Sequence, residues 1–467
     1  MPGITITRYD VNDTNVNKIA DKERVQRQKD IAKKWQYYDG DHHRWLKVRR
    51  GEKDDNIVLN LCGRAVDKAV EFIGTPTGFD VPYIEDMERA AGDNEAAEHP
   101  LDTALDELYD AEQESLPEVI QSGMIAGHTF VKLYFDSDNQ AAETLLDPLY
   151  VTVFWNAMNI KQVMFYRLQW KTGDKVYLQD IVPDWLITPP DELPISPVAT
   201  YWMIYDYEQT KSAQTPWHKL REQRWEYDFA PLVEWAHKRR PHAFYGESFL
   251  KDAIQLNDAL NFVASNTGRV LKHHAHPKTF VFGAEIEAEN AVGGLWDGLP
   301  TDAKVQTMEL NSDLKSSMAF IDLLKGEFFS TQRVVDTASI RDKLGQITNF
   351  GVRMLFNDML EMTDEARARI GAGFGEVLRR MMIMNSHDLP GKLEPEWPDP
   401  LPSNRIEVVG AAKIEKELGT TSQYTLAEAI GRDPSKEEQL KANEVSTSSN
   451  ALVNTLTQIG QGGLFNA

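Results

Sequence analysis

Residues 245–283 read YGESFLKDAIQLNDALNFVASNTGRVLKHHAHPKTFVFG. Apolar side chains fall at helical spacing through Phe249, Leu250, Ala253, Ile254, Leu256, Leu260, Val263 and Ala264, then Val270 and Leu271. No proline interrupts the pattern before Pro277, so the expectation is one helix of about 30 residues, about 45 Å long at 1.5 Å per residue. The period returns over 314–335 through Leu314, Met318, Ile321, Leu324, Phe328 and Val335. Between them, 277–310 has strand-like ends and a Gly-rich middle. Two long helices flanking a compact insertion form a hairpin with the insertion at its tip. Such hairpins can line a ring, and a closed ring needs two different contact faces on each subunit.

Upstream, the period is two. HTFVKLYF (128–135), YVTVFW (150–155), QVMFYRLQW (162–170), KVYLQDIV (175–182), ATYWMIYDY (199–207) and EQRWEYDF (222–229) are rich in aromatic and β-branched residues. Turn residues at 136–139 and 172–174 separate them, which predicts an antiparallel meander. Further upstream, a helix is expected in the first half of 15–50, broken by Asp39-Gly40-Asp41, and a second over 56–73, stopped by Gly74. Residues 83–118 carry about a dozen carboxylates against Arg89, the pattern of a solvated helical face, with Leu101, Leu105 and Leu108 as its apolar stripe. Pro117 opens a helix that ends near Gly127. Downstream, 336–346 reads as a loop. A long helix follows from about 347 to 384, with Gly351, Gly371, Gly373 and Gly375 as weak points or kinks. In the tail, IEVV (406–409) reads as a short strand, 411–418 and 425–431 as helices, and 446–450 as a linker. The fold class is α+β.

The chain has 467 residues, 42% hydrophobic and 26% charged, which suits about three globular domains. Its net charge of −22 disfavours tight binding of nucleic acid over the whole surface, while leaving local basic patches open. The single cysteine, Cys62, sits in an apolar run and reads as a buried small hydrophobe. No export signal opens the chain and no apolar run is long enough to span a bilayer, so a reducing, cytoplasmic setting is expected.

Motifs of chemistry are few. There is no GxxxxGK[ST] phosphate cradle, and GAGFG (371–375) lies inside a helical pattern, where a kink or a close helix contact explains it. Ser137-Asp138-Asn139, Lys171-Thr172-Gly173 and Ser312-Asp313-Leu314-Lys315 copy the three signatures of serine β-lactamases, but in the wrong order and with the first two in turns. His273, His274 and His276, like His42–His43, lack the spacing that aims two imidazoles at one ion. A non-enzymatic protein without cofactor or metal is expected.

Several passages in order resemble the portal (connector) proteins of tailed double-stranded DNA bacteriophages, particularly those of long-tailed siphophages. They are NLCGRAVDKAVEFIGTPTGF (60–79), IQSGMIAGHTFVKLYFDSDN (120–139), the 245–283 passage, and LPSNRIEVVGAAKIEKELGTTSQYTLAEAIGRDPSKEEQLKANE (401–444). The likeness spans roughly 55–445. It implies a dodecameric homo-oligomeric ring at one capsid vertex, with double-stranded DNA passing along its axis and a virion location after assembly in the host cytoplasm. Implied partners are the terminase large subunit, head–tail adaptor proteins, and major capsid and scaffold proteins, with no membrane. The family's parts map as a wing over 1–242, stem helices at 243–275 and 313–335, a clip at 276–312, and a tunnel loop at 336–346. A long kinked helix returns to the wing over 347–410, and a crown and tail occupy 411–467. Arg341 and Lys343, the loop's cations, are the expected DNA contacts. Asp252 and Asp258 on the first stem helix, with Lys315 and Lys325 on the second, are candidates for pairing between neighbours. The alternative is another phage head or head–tail adaptor component without a DNA channel.

Overall fold

The computed structural model describes residues 3–4, 6–48, 50–51, 53–82, 100–188, 197–210, 216–275, 279–282, 304–307, 314–337, 349–387, 389, 391–401 and 405–418. The chain divides into two units, one of 1–345 with 355–398, the other of 346–354 with 399–467. The acidic stretch 83–99, most of 276–312, the loop at 338–346 and the tail from 419 lie outside the described residues.

In the first unit, β1 (Gly3–Ile4), β5 (Val151–Asn156), β6 (Asn159–Thr172), β7 (Lys175–Pro183), β8 (Trp202–Thr210) and β9 (His218–Trp225) form a six-stranded sheet in that order. From β5 to β9 it is the expected antiparallel meander, and β1 adds in parallel. Both faces are covered. Val153, Tyr166, Ile181 and Ile204 face one core, while Phe154, Phe165, Leu178 and Tyr205 face another. A four-residue helix, α5 (Asp184–Ile187), follows β7. A second sheet has the order β10 (Leu232–Ala236), β3 (His128–Phe135), β4 (Ala141–Leu146). Neither β4 nor β10 is apparent from sequence pattern. Conversely, residues 226–229, expected in the last strand, leave the sheet, and Phe229 and Ala230 turn into the core. The SDN and KTG look-alikes fall in the β3–β4 and β6–β7 turns, with positive φ at Asn139 (57°) and Gly173 (60°).

The helices of this unit begin with α1 (Thr14–Tyr38), α2 (Leu61–Ile73), α3 (Pro100–Glu112) and α4 (Leu116–Ala126). The second of these starts at Leu61 rather than near 56, because Asn60 caps it by accepting from Gly63 N–H at 3.0 Å. Two later helices, α6 (Ala253–Ala275) and α7 (Leu314–Thr331), form the hairpin, with β11 (Thr279–Phe282) antiparallel to β12 (Lys304–Thr307) in the insertion. The sequence pattern overextends α6, since 245–252 is irregular. Gly246 lies so close to Gly127 that a Cβ would sit 2.2 Å from its carbonyl oxygen. Ser248 donates to Ile125 O at 2.7 Å and accepts from Leu250 N–H at 3.1 Å. Phe249 and Leu250 pack on two different cores, so burial in a loop imitates a helical period.

The long helical pattern after 347 is two helices, α8 (Asn349–Leu355) and α9 (Asn357–Met384). The break falls at Phe356, whose ring stacks on Phe72 at 5.8 Å, and the glycines cause no interruption. A Cβ on Gly371 would meet Pro395 of β13 (Glu394–Glu396), which pairs antiparallel with β2 (Gly78–Asp80), at 2.4 Å, and one on Gly373 would meet Trp235 at the same distance. GAGFG therefore serves close packing. In the second unit, the expected IEVV strand is instead part of α10 (Arg405–Leu418). β-Branched residues cost a helix only tenths of a kcal/mol each (~0.5), and the surrounding run is otherwise helix-forming.

Burial, with the Glu143 carboxylate nearby, pushes the Glu112 carboxyl up to about 7. Burial also raises Glu143, against the Ser115 hydroxyl that donates to it at 2.6 Å. A carboxylate raised in the folded state disfavours folding once ionised. The stability is full below the unfolded value near about 4.3 and is lost as pH rises through 7. Glu112→Gln should therefore raise the melting temperature at pH 8 and leave it little changed at pH 4. Equal effects at both pH values would refute this assignment.

Candidate functional site

The first helix of the hairpin, α6, is clamped from Asn257 to Arg269. Residues 55–61 run extended and antiparallel beside α6. Leu61 N–H donates to Asn257 Oδ1 at 3.1 Å, Leu59 N–H to Asn261 Oδ1 at 2.8 Å, and Ile57 N–H to Ser265 Oγ at 2.9 Å. The two carboxylate oxygens of Asp55 then accept from Arg269 at 2.9 and 2.5 Å. The spacings match for a geometric reason. Four helical residues rise about 6 Å, and two extended residues span about 6.6 Å. Residues i, i+4, i+8 and i+12 of a helix can therefore meet alternate residues of a strap.

His42 closes the ladder. Its Nδ1 accepts from Asn257 Nδ2 at 3.0 Å and Asn261 Nδ2 at 2.9 Å, while its Nε2 donates to Tyr37 O at 2.9 Å. This network assigns the tautomer with the proton on Nε2. His42, Asn257, Asn261 and Ser265 are all buried. They do not stand out in the sequence, although the Asn-Asn-Ser spacing in an apolar helix is the signal that points to them.

Asp258 accepts from the Tyr37 hydroxyl at 2.8 and 2.9 Å within the chain. Burial, followed by this hydrogen bond, raises the Tyr37 pKa and keeps the hydroxyl a donor. Burial, with the Asp258 charge, pushes the Cys62 thiol up to about 12, so it is an inert core residue. Asp252 is exposed just before α6. On α7, Phe328 and Phe329 pack with Leu250, Ala253, Ile254 and Leu260 of the α6 end. Lys325 pairs with Asp336 at 2.6 Å. Lys68 donates to Val335 O at 3.2 Å and to Thr337 Oγ1 at 3.1 Å, fixing the chain that leads into the loop. Burial holds the Lys68 amine below its usual value, and the Asp336 charge works against that. Lys315 has an interaction of its own near the start of α7. Arg341 and Lys343, and the side chains of His273, His274 and His276, lie outside the described residues.

Among the described residues, no group of three His, Cys, Asp or Glu side chains is placed to hold a metal ion. No described helix is long and apolar enough to cross a membrane. The family model "Phage portal protein, SPP1 Gp6-like" matches residues 197–448, more than half the chain, from β8 through the whole hairpin to α10 and beyond. The chain belongs to this phage portal family. No curated protein matches it. Among solved structures it is similar to a chain in the neck of a native GTA particle computed with C12 symmetry. The identity is 13%, the TM-score 0.42, and the match covers 80% of this chain and 90% of that one. A portal protein is a structural component of a phage particle, and the α+β architecture belongs to that class.

Proposed function

We propose that this portal protein assembles into a closed ring, a dodecamer in the particle, at one capsid vertex. The ring's axial channel admits DNA during packaging and releases it on ejection. The terminase large subunit docks on one end, head–tail adaptors replace it, and capsid and scaffold proteins surround the ring during assembly. The observation that supports this most is the hairpin itself. A family match spans both helices and the insertion, and an intramolecular ladder ties the first helix to the strap at 55–61. On this reading 1–242 is the wing, 243–275 and 313–335 the stem, 276–312 the clip, 336–346 the tunnel loop and 411–467 the crown and tail. Native mass spectrometry with negative-stain imaging of the purified protein tests the ring. About a dozen subunits around a central hole is the expected result. A species that stays monomeric at high concentration points instead to an adaptor component without a channel.

The net charge of −22 suits a conduit, because tight phosphate contacts would stall sliding. Arg341 and Lys343 are the proposed contacts with passing DNA. The double variant Arg341→Ala with Lys343→Ala should change the packaging rate and weaken its salt dependence, by about one unit of log–log slope for each phosphate no longer neutralised. Unchanged rate and salt dependence would remove these two residues from the channel.

A further inference from the structure

The ring reading, on which this inference rests, requires each subunit to present two different faces to its neighbours. The hairpin has two flanks that fit. On the α6 side, the strap and the loop before it leave Trp45 47% exposed and Phe262 43% exposed, their rings 6.5 Å apart and edge-on. In the same loop, strap and helix Lys47, Lys53 and Lys272 are exposed, while Arg44 and Arg269 are paired with Asp54 and Asp55. On α7, Phe320, Leu323 and Glu327 stand at i, i+3 and i+7 and share a face. Phe320 is 47% exposed and Leu323 56% exposed, and Glu327 is exposed beside them. Large apolar side chains left exposed along both helices of one hairpin mark contact surfaces.

We propose that the loop and strap at 43–48 and 53–59, together with the outer flank of α6, form one half of the subunit interface. The other half is the Phe320–Leu323–Glu327 face of the next copy's α7. Charge selects the partner. The facing α7 presents the exposed carboxylates Asp322 and Glu327, which the exposed lysines of the strap and α6 complement. The exposed aliphatic residues of the loop and strap, Val48 and Leu59, favour a protein partner over a phosphate backbone. The strap ladder thus acquires a purpose, because it holds half of the interface rigid on the stem helix before assembly.

The test uses the full chain and two exposed substitutions, Trp45→Glu and Leu323→Glu, with native mass spectrometry as the readout and circular dichroism to verify folding. Each variant alone should lose the ring and remain monomeric. Mixed in equal amounts, they should give 1:1 heterodimers and no rings, because each retains one intact face. Trp45→Phe should restore rings. If wild type itself forms no ring, the ring reading fails before the interface is tested. If wild type forms rings and both Glu variants do too, the interface is elsewhere and the inference is overturned. Rings that persist in Trp45→Glu with weakened binding to duplex DNA would likewise overturn it, and would assign this surface to nucleic acid.

Discussion

Replacing Asp180 with alanine should cost about 3–5 kcal/mol, the typical effect of stripping one partner from a buried ion pair. Asp180 is 0% exposed and Arg167 3%. The guanidinium binds it in a fork, Nε to Oδ1 at 2.8 Å and Nη2 to Oδ2 at 2.6 Å, and its Nη1 donates to Asn17 Oδ1 at 2.5 Å. Tyr9 donates to Asp180 Oδ2 at 2.8 Å. Burial first, then the Asp180 charge, raises the Tyr9 pKa and keeps that proton in place. The cluster bolts the N-terminal segment onto β6 and β7. Without Asp180, a full charge stays between Phe154 and Phe165, each ring centre 5.6 Å away. Against a total stability of about 5–15 kcal/mol, that loss is large. Urea unfolding followed by tryptophan fluorescence measures it. The double variant Asp180→Leu with Arg167→Met should recover most of the loss, since an apolar replacement removes both charges. A shift below about 1 kcal/mol for Asp180→Ala would show that the pair is not the bolt.

Asn261→Leu should release the strap. It removes the acceptor of Leu59 N–H and a donor to His42 Nδ1, both buried on α6. Each group left unmet costs about 1–3 kcal/mol. Local opening of 43–59 becomes tenfold more frequent or better, as each 1.4 kcal/mol is about a factor of ten. Lys47, Arg50 and Lys53 sit in this segment, so the rate of tryptic cleavage reads the opening directly. Asn261→Asp keeps the oxygen facing Leu59 and should fall between wild type and Asn261→Leu. An unchanged cleavage rate in Asn261→Leu would mean the ladder does not hold the strap. Faster cleavage with ring assembly intact would separate the strap's local role from the interface inferred for it.

Much of the architecture was legible because burial has a period. The meander from β5 to β9 could be read from alternating aromatic and β-branched residues, and α7 from its stripe of apolar positions. Gly74 announced the end of α2, where it takes φ of +65°. GAGFG could be read as a close contact. The failures share one cause, since a side chain's burial does not say which backbone buries it. Phe249 and Leu250 extended the apparent helix while sitting in a loop, and LVEWA (232–236) lacked flanking turn signals strong enough to announce β10. The ladder was hidden because Asn257, Asn261 and Ser265 look like a solvated face.

What the sequence determined by itself is the class and order of the parts: helices, then an antiparallel meander, then a helical hairpin around an insertion, in an acidic chain with one inert cysteine and the pattern of a portal protein. Local spacing carries that information, since hydrophobic period and turn chemistry act within a few residues. Only the tertiary structure decided where α6 begins, that Phe356 rather than a glycine breaks the long helix, and that an extended strap lies hydrogen-bonded along α6. Those outcomes depend on residues some 200 positions apart, such as Leu59 with Asn261. Their pairing is set by which buried N–H and C=O groups find partners when the whole chain closes.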